Sequence, residues 1–203
     1  MKIICIGRNY AEHVAELGHE RPDAPLFFLK PDSAIVQRNR PFFLPDFSNE
    51  IHYEVELLVK ICKLGKHIKS RYAHTYYDEI GLGVDFTARD LQRECMQQGN
   101  PWEIAKSFDN SAIISPFVSK SNYPDLQNIN FSLFKNDIKV QSGNSKNMLF
   151  SIDEIICYIS QYMTLKIGDI IFTGTPEGIG AVAIGDRLQG FIEEEKFFDF
   201  RVK

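Results

Sequence analysis

Apolar positions along the chain come in short runs set off by glycine, proline and charged turns, and few stretches carry a helical period. Residues 2–6 predict a strand that ends at Gly7-Arg8-Asn9-Tyr10. Residues 10–17 predict a short helix closed by Gly18, with His13 and Glu16 three apart on one face. The polar, proline-bearing stretch 19–25 predicts a loop, and residues 10–25 together have the make-up of a mobile lid. Further strands are predicted at 26–29, 51–60, 80–86, 113–118, 131–135 and 138–142, with an edge segment at 41–45 and a hairpin turn at Asn136-Asp137. Helical patches fall at 71–77 and at 87–96 ahead of the Gly99-Asn100-Pro101 stop, with a short unassigned segment at 102–108. A core-facing helix at 151–163 opens on a Ser151/Glu154 capping box. The tail from 169 is strand-rich. Many strands with few, non-alternating helices predict a β-rich α+β fold, in one domain over 1–203.

The run 51–60 departs from ordinary strand patterning. At period two, His52, Glu54 and Glu56 share one face, while Tyr53, Val55 and Leu57 share the other. Two acids pointing the same way on a partly buried face repel and lose hydration, so a cation, a shared proton or open water must compensate. Asp85 ends another apolar run, just before a helix start. Three carboxylates from two strands make a hard-oxygen site, suited to Mg2+, Mn2+ or Ca2+ rather than zinc. Taken alone, acids on a strand are more often a solvated face, and His13 with Glu16 is an ordinary helix pair.

Composition narrows the class. With 203 residues, 44% of them hydrophobic and 25% charged, the chain can bury a real core. A net charge of -4 and scattered basic residues exclude an electrostatic case for nucleic acid or an anionic membrane. Cys5, Cys62, Cys95 and Cys157 are too dispersed for a metal knuckle and read as reduced thiols, and with no leader-like or spanning run the expected compartment is cytoplasmic. The stretch Gly174 to Gly180 lacks a P-loop ending, and Gly81-Leu82-Gly83 lacks the third glycine of a dinucleotide turn, so both are expected as tight turns beside a site.

Six motifs then occur in order: Gly7-Arg8-Asn9-Tyr10-Ala11-Glu12-His13, Leu29-Lys30-Pro31, His52-Tyr53-Glu54-Val55-Glu56-Leu57, 85–92, Pro101-Trp102 with Ala105-Lys106-Ser107-Phe108, and 168–180. Together they resemble the fumarylacetoacetate hydrolase superfamily, in its short acylpyruvase-like branch. The resemblance implies a mixed β-roll, a homodimer, and Mg2+ or Mn2+ on Glu54, Glu56 and Asp85, with Ca2+ as an inactive substitute. It also implies His13 and Glu16 as the lid pair, Lys106 and Gln92 in catalysis, and Arg8, Arg89, Gln92, Lys106 and Thr175 against substrate. The implied activity is cleavage of the C–C bond of 2,4-dioxo acids to pyruvate and a carboxylic acid, with His13 activating water and an enolate leaving. Oxaloacetate decarboxylation, keto–enol tautomerisation and isomerisation of unsaturated dioic acids are the alternatives at the same site, with a non-catalytic metal-binding homologue behind them. His52, on the glutamate face, is expected either to support a ligand or to have a core or hydrogen-bonding role.

Overall fold

A computed structural model describes every residue except His19, Arg38 and Asn39, so the loop expected from His19 onward lies partly outside the described residues. The chain begins β1 (Ile3–Gly7), α1 (Ala11–Glu16), β2 (Leu26–Lys30), β3 (Ile51–Tyr53), β4 (Val55–Ile61), α2 (Ser70–Ala73) and β5 (Tyr77–Asp85). It continues β6 (Thr87–Ala88), α3 (Arg89–Gln98), α4 (Glu103–Lys106), β7 (Ala112–Ile114), β8 (Val118–Ser119), β9 (Asn130–Lys135) and β10 (Ile138–Asn144). Then follow α5 (Ile152–Tyr162), β11 (Ile170–Phe172), β12 (Gly180–Ala181), β13 (Arg187–Ile192) and β14 (Glu195–Arg201). This is the expected β-rich α+β fold. Among the described residues no helix is long and apolar enough to cross a membrane.

The largest sheet runs β2, β1, β11, β4, β5, β7, with β8 also on β5; a second runs β10, β9, β13, β14, and a small third runs β12, β3, β6. Its central strands are buried on both faces. Val55, Leu57 and Val59 of β4 join the main core, while Leu58 packs with Ile3, Cys5 and Phe172 in a second cluster behind it. Two buried faces explain the nearly unbroken apolar runs in these strands. The β9–β10 hairpin turns at Asn136 (φ 52°) and Asp137 (φ 64°), and both halves of the Ser151/Glu154 capping box form.

Several elements differ from the sequence pattern. The run 51–60 is two strands in two sheets, broken at Glu54, because β3 pairs with β6 and β12 while β4 pairs with β5 and β11. Residues 113–118 likewise divide at Pro116, which cannot donate to a ladder. The patch at 71–77 is a short helix, Ser70–Ala73, and β5 starts at Tyr77. Residues 41–45 contribute one bridge, Phe42 to Val202. Gly81 and Gly83 lie inside β5 rather than in a turn. A Cβ on Gly83 would come within 2.6 Å of the Ile113 carbonyl oxygen and 2.8 Å of the Phe172 ring, so they are glycine for packing.

Candidate active site

The break at Glu54 builds the site. Asp85 N–H donates to the Glu54 carbonyl at 2.8 Å, which fixes the end of β5 beside the gap between β3 and β4. Glu56 follows on β4, opposite Gly83. One carboxylate oxygen from each of Glu54, Glu56 and Asp85 lies within 4.8 Å of the others, and all three residues are at most 5% exposed. They floor a narrow cleft whose walls include Arg8, His13, Phe28, Met96, Trp102 and Thr175.

Cations answer two of the acids. Lys106, carried inward at the end of α4, places Nζ 2.7 Å from Glu54 Oε2, 2.9 Å from Asp85 Oδ2 and 2.6 Å from Thr87 Oγ1. Arg89, at the start of α3, donates to the other Glu54 oxygen and to Gln92 Oε1. Burial would raise the Glu54 pKa, but Lys106 and Arg89 outweigh it and hold the carboxyl well below the usual range. Burial likewise opposes the charge on Lys106, yet Asp85 and Glu54 prevail and raise its pKa. Among the described residues Glu56 accepts only the Gly174 N–H, at 2.6 Å, and burial together with the Asp85 and Glu54 charges pushes its pKa well above the usual carboxylate range.

His13 is 4% exposed, and its Nδ1 lies 3.1 Å from Glu16 Oε2. With Nδ1–H donating to that carboxylate, Nε2 keeps its lone pair. The other Glu16 oxygen accepts the Gly178 N–H at 3.1 Å, so the helix is tied to the glycine-rich turn after β11. That turn requires glycine: Gly178 has φ +90°, and a Cβ there would meet the Val140 carbonyl oxygen at 2.3 Å. The stretch from Gly174 is thus a turn beside the site, as its composition predicts.

Every residue singled out in the sequence except His52 lines the cleft or bonds to a residue that does. His52 turns away. Its Nε2 meets Glu50 Oε1 at 2.9 Å, and Glu50 is held in turn by Arg93. Four supporting residues carried no assigned role in the sequence. Lys30, with a fully buried side chain, sits 2.8 Å from Asp85 Oδ1 while its hydrogen bonds go to the Lys106 carbonyl and to Ser111 Oγ at 2.9 Å. Its one signal was a lysine closing an apolar run before Pro31. Thr87 receives Lys106. Asn9 donates to the Thr173 carbonyl at 2.7 Å and accepts from Phe150 N–H at 2.8 Å, anchoring the turn between β1 and α1. Gln141, from the second sheet, had no signal at all.

The donor set fits a hard divalent ion. Three buried carboxylates converge, and among the described residues Glu56 has no cation within hydrogen-bond reach, while Asp85 Oδ1 has charge contact from Lys30 but no aligned hydrogen bond.

Comparison with known proteins places this geometry. The family model described as fumarylacetoacetate (FAA) hydrolase C-terminal matches residues 2–198. Oxaloacetate tautomerase FAHD1, mitochondrial, of Bos taurus is 41% identical over 201 residues, covering 99% of this chain and 91% of that protein. Oxaloacetate tautomerase YcgM of Escherichia coli (strain K12) is 37% identical over 188 residues, covering 92% of this chain and 86% of its own. The crystal structure of fumarylpyruvate hydrolase from Pseudomonas aeruginosa in complex with Mn2+ and pyruvate matches with a TM-score of 0.94 at 35% identity, covering 100% of this chain and 89% of that one. With matching sequence and fold, the chain belongs to the fumarylacetoacetate hydrolase family.

Proposed function

We propose that this protein is a Mg2+- or Mn2+-dependent enzyme that interconverts the keto and enol forms of a 2-oxo dicarboxylic acid such as oxaloacetate. The observation that carries the reading is the His13–Glu16 pair in the same cleft as the three converging acids. The printed activities of the relatives support it. Glu54, Glu56 and Asp85 would hold a divalent ion, which would supply positive charge to stabilise the enolate of the 2-oxo acid.

The residues themselves account for the proton. His13 Nε2 takes the C3 proton as the enol forms, and Glu16 stabilises the imidazolium through Nδ1–H. The proton is returned to the C2 oxygen, so the atoms balance. Lys106 stays protonated beside Glu54 and Asp85, and Arg89 is braced by Glu54 and Gln92, so neither cation must reorganise as charge develops. Phe28, Trp102 and Met96 narrow the access of water. Arg8 holds a positive φ of 59° at the cleft wall and, among the described residues, has no acid partner. That leaves a cation for a second carboxylate on the substrate.

Hydrolytic cleavage of 2,4-dioxo acids is the second reading, favoured by the Mn2+- and pyruvate-bound fumarylpyruvate hydrolase neighbour. There His13 would deprotonate a water that attacks C4. On either reading, helix α1 with the following loop acts as the lid over the cleft.

The test is a paired assay, with Mg2+ and after EDTA, of enol-oxaloacetate ketonisation and acetylpyruvate cleavage. Metal-dependent ketonisation that falls about 10²- to 10⁴-fold in His13→Ala is expected. Cleavage alone would select the hydrolase, and ketonisation unchanged in His13→Ala would sink the proton route. Arg8→Gln should raise KM for oxaloacetate more than for the monoanionic acetylpyruvate.

A further inference from the structure

Gln141 reaches the site from outside it. It stands on β10 where the register with β9 slips, between Lys139 and Gln141, and is 2% exposed. Its Oε1 accepts the Val55 N–H at 2.9 Å, in the gap between Glu54 and Glu56. Its Nε2 donates to the Pro176 carbonyl at 3.0 Å and to Thr175 Oγ1 at 2.9 Å. A backbone N–H can only donate and a carbonyl can only accept, so two independent partners fix which end of the amide is which.

The consequence falls on Thr175. Its hydroxyl oxygen is engaged as an acceptor, so its own proton must go elsewhere, and among the described residues nothing accepts it. Thr175 is 3% exposed and lines the cleft. We infer that Gln141 is a positioning residue that makes the Thr175 hydroxyl a committed donor into the cleft, so the bound substrate must present an acceptor oxygen there. Resting on the proposal that a 2-oxo acid occupies the cleft, that acceptor is a carboxylate or oxo oxygen. The same amide ties the strand carrying the acids to the loop that carries Gly174, Thr175 and Gly178, so the acids and the donor are held in one register.

Oxalate, a planar dianion that needs no turnover, is the probe. Its binding is measured by calorimetry at saturating Mg2+ for wild type, Gln141→Glu, Thr175→Val, Thr175→Ser and the Gln141→Glu/Thr175→Val double variant. Once ionised, a carboxylate at position 141 still accepts the Val55 N–H and can only accept from Thr175, drawing its proton away from the cleft, so the titrations are repeated at rising pH. Expected is a loss of oxalate affinity of about tenfold to a hundredfold in Gln141→Glu and in Thr175→Val, from one hydrogen bond to a charged group. Mg2+ affinity and Tm should stay near wild type in the Thr175 variants. Thr175→Ser should bind as wild type, and the double variant no worse than Thr175→Val. Wild-type affinity in Gln141→Glu, or losses that multiply in the double variant, would reduce Gln141 to a structural strut. If Gln141→Glu does not fold, the Val and Ser variants at Thr175 decide, and equal binding by both overturns the inference. Failure of wild type to turn over either substrate while binding oxalate counts against the proposed reaction alone, whereas failure to bind oxalate overturns both.

Discussion

Two clusters of acids and bases in this molecule use the same chemistry in opposite surroundings. On the β13–β14 face, Asp199 accepts from Arg187 at 2.8 and 2.7 Å and from Lys196 at 2.9 Å, with side chains 26%, 38% and 46% exposed. In the cleft, Glu54 and Asp85 meet Lys106, Arg89 and Lys30 with side chains no more than 6% exposed. The surface cluster keeps its water, so its ion pairs contribute about 0–1 kcal/mol. The buried cluster has surrendered hydration worth several kcal/mol per ion, roughly, and persists only because each charge has a partner. Glu56 is the exception, an acid with neighbours of its own sign and one backbone donor. Burial therefore marks where charge has a task, and the unmatched member is where the proposed metal ion would supply the positive charge.

Substitutions in each cluster sharpen the contrast. Glu56→Gln keeps an acceptor for the Gly174 N–H but removes a proposed metal ligand, so it should lower turnover by at least about 10³-fold, as loss of charge stabilisation at a reacting centre does. The same variant should lose the metal-induced rise in stability, about 2.7 kcal/mol at a hundredfold excess over Kd in wild type, read as Tm with Mn2+ and with EDTA. Wild-type Tm gain in this variant would place the metal elsewhere. Lys30→Met leaves Asp85 short of one buried cation and should cost roughly 3–5 kcal/mol in urea unfolding without metal.

Asp169, a third case, is 1% exposed at the base of β11. It accepts Lys2 N–H at 3.0 Å and Lys166 N–H at 2.7 Å besides its ion pair with Lys2. Burial works to raise its pKa, but these donors outweigh it and the folded value is lowered. A carboxylate lowered in this way stabilises fully above about pH 4, the ordinary aspartate value, and loses that contribution as pH falls through the folded pKa. Asp169→Asn should therefore cost about 1.5–3 kcal/mol at pH 7, with the gap to wild type closing in acid. A gap independent of pH would assign the loss to packing instead. Asp199→Asn should fall within about 0–1 kcal/mol and shrink further in high salt.

Legibility in the sequence followed cost. Glu54, Glu56 and Asp85 stood out because acids inside apolar runs are expensive unless compensated. Their period-two reading reached the right convergence, though the chain achieves it by changing sheets at Glu54, and His52, on the same nominal face, swings to Glu50. Lys106 had only its motif to distinguish it from a surface lysine, and the structure buries it to 3% exposure. Gln141 could not be found in advance. An isolated glutamine in a strand carries no pattern, and its partners Val55 and Thr175 lie 86 and 34 residues away.

The residue order alone determined what is local: the Ser151 cap, the Asn136-Asp137 turn, the turn from Gly174, and the apolar runs that must become buried strands. These follow from backbone sterics and short-range hydrogen bonds, which neighbouring residues settle between themselves. Tertiary structure decided which sheet each half of 51–60 joins, which cation answers which acid, and which acid is left without one. Charge pairing in a dry interior depends on distances between segments far apart in the chain, and only the closed fold sets those distances.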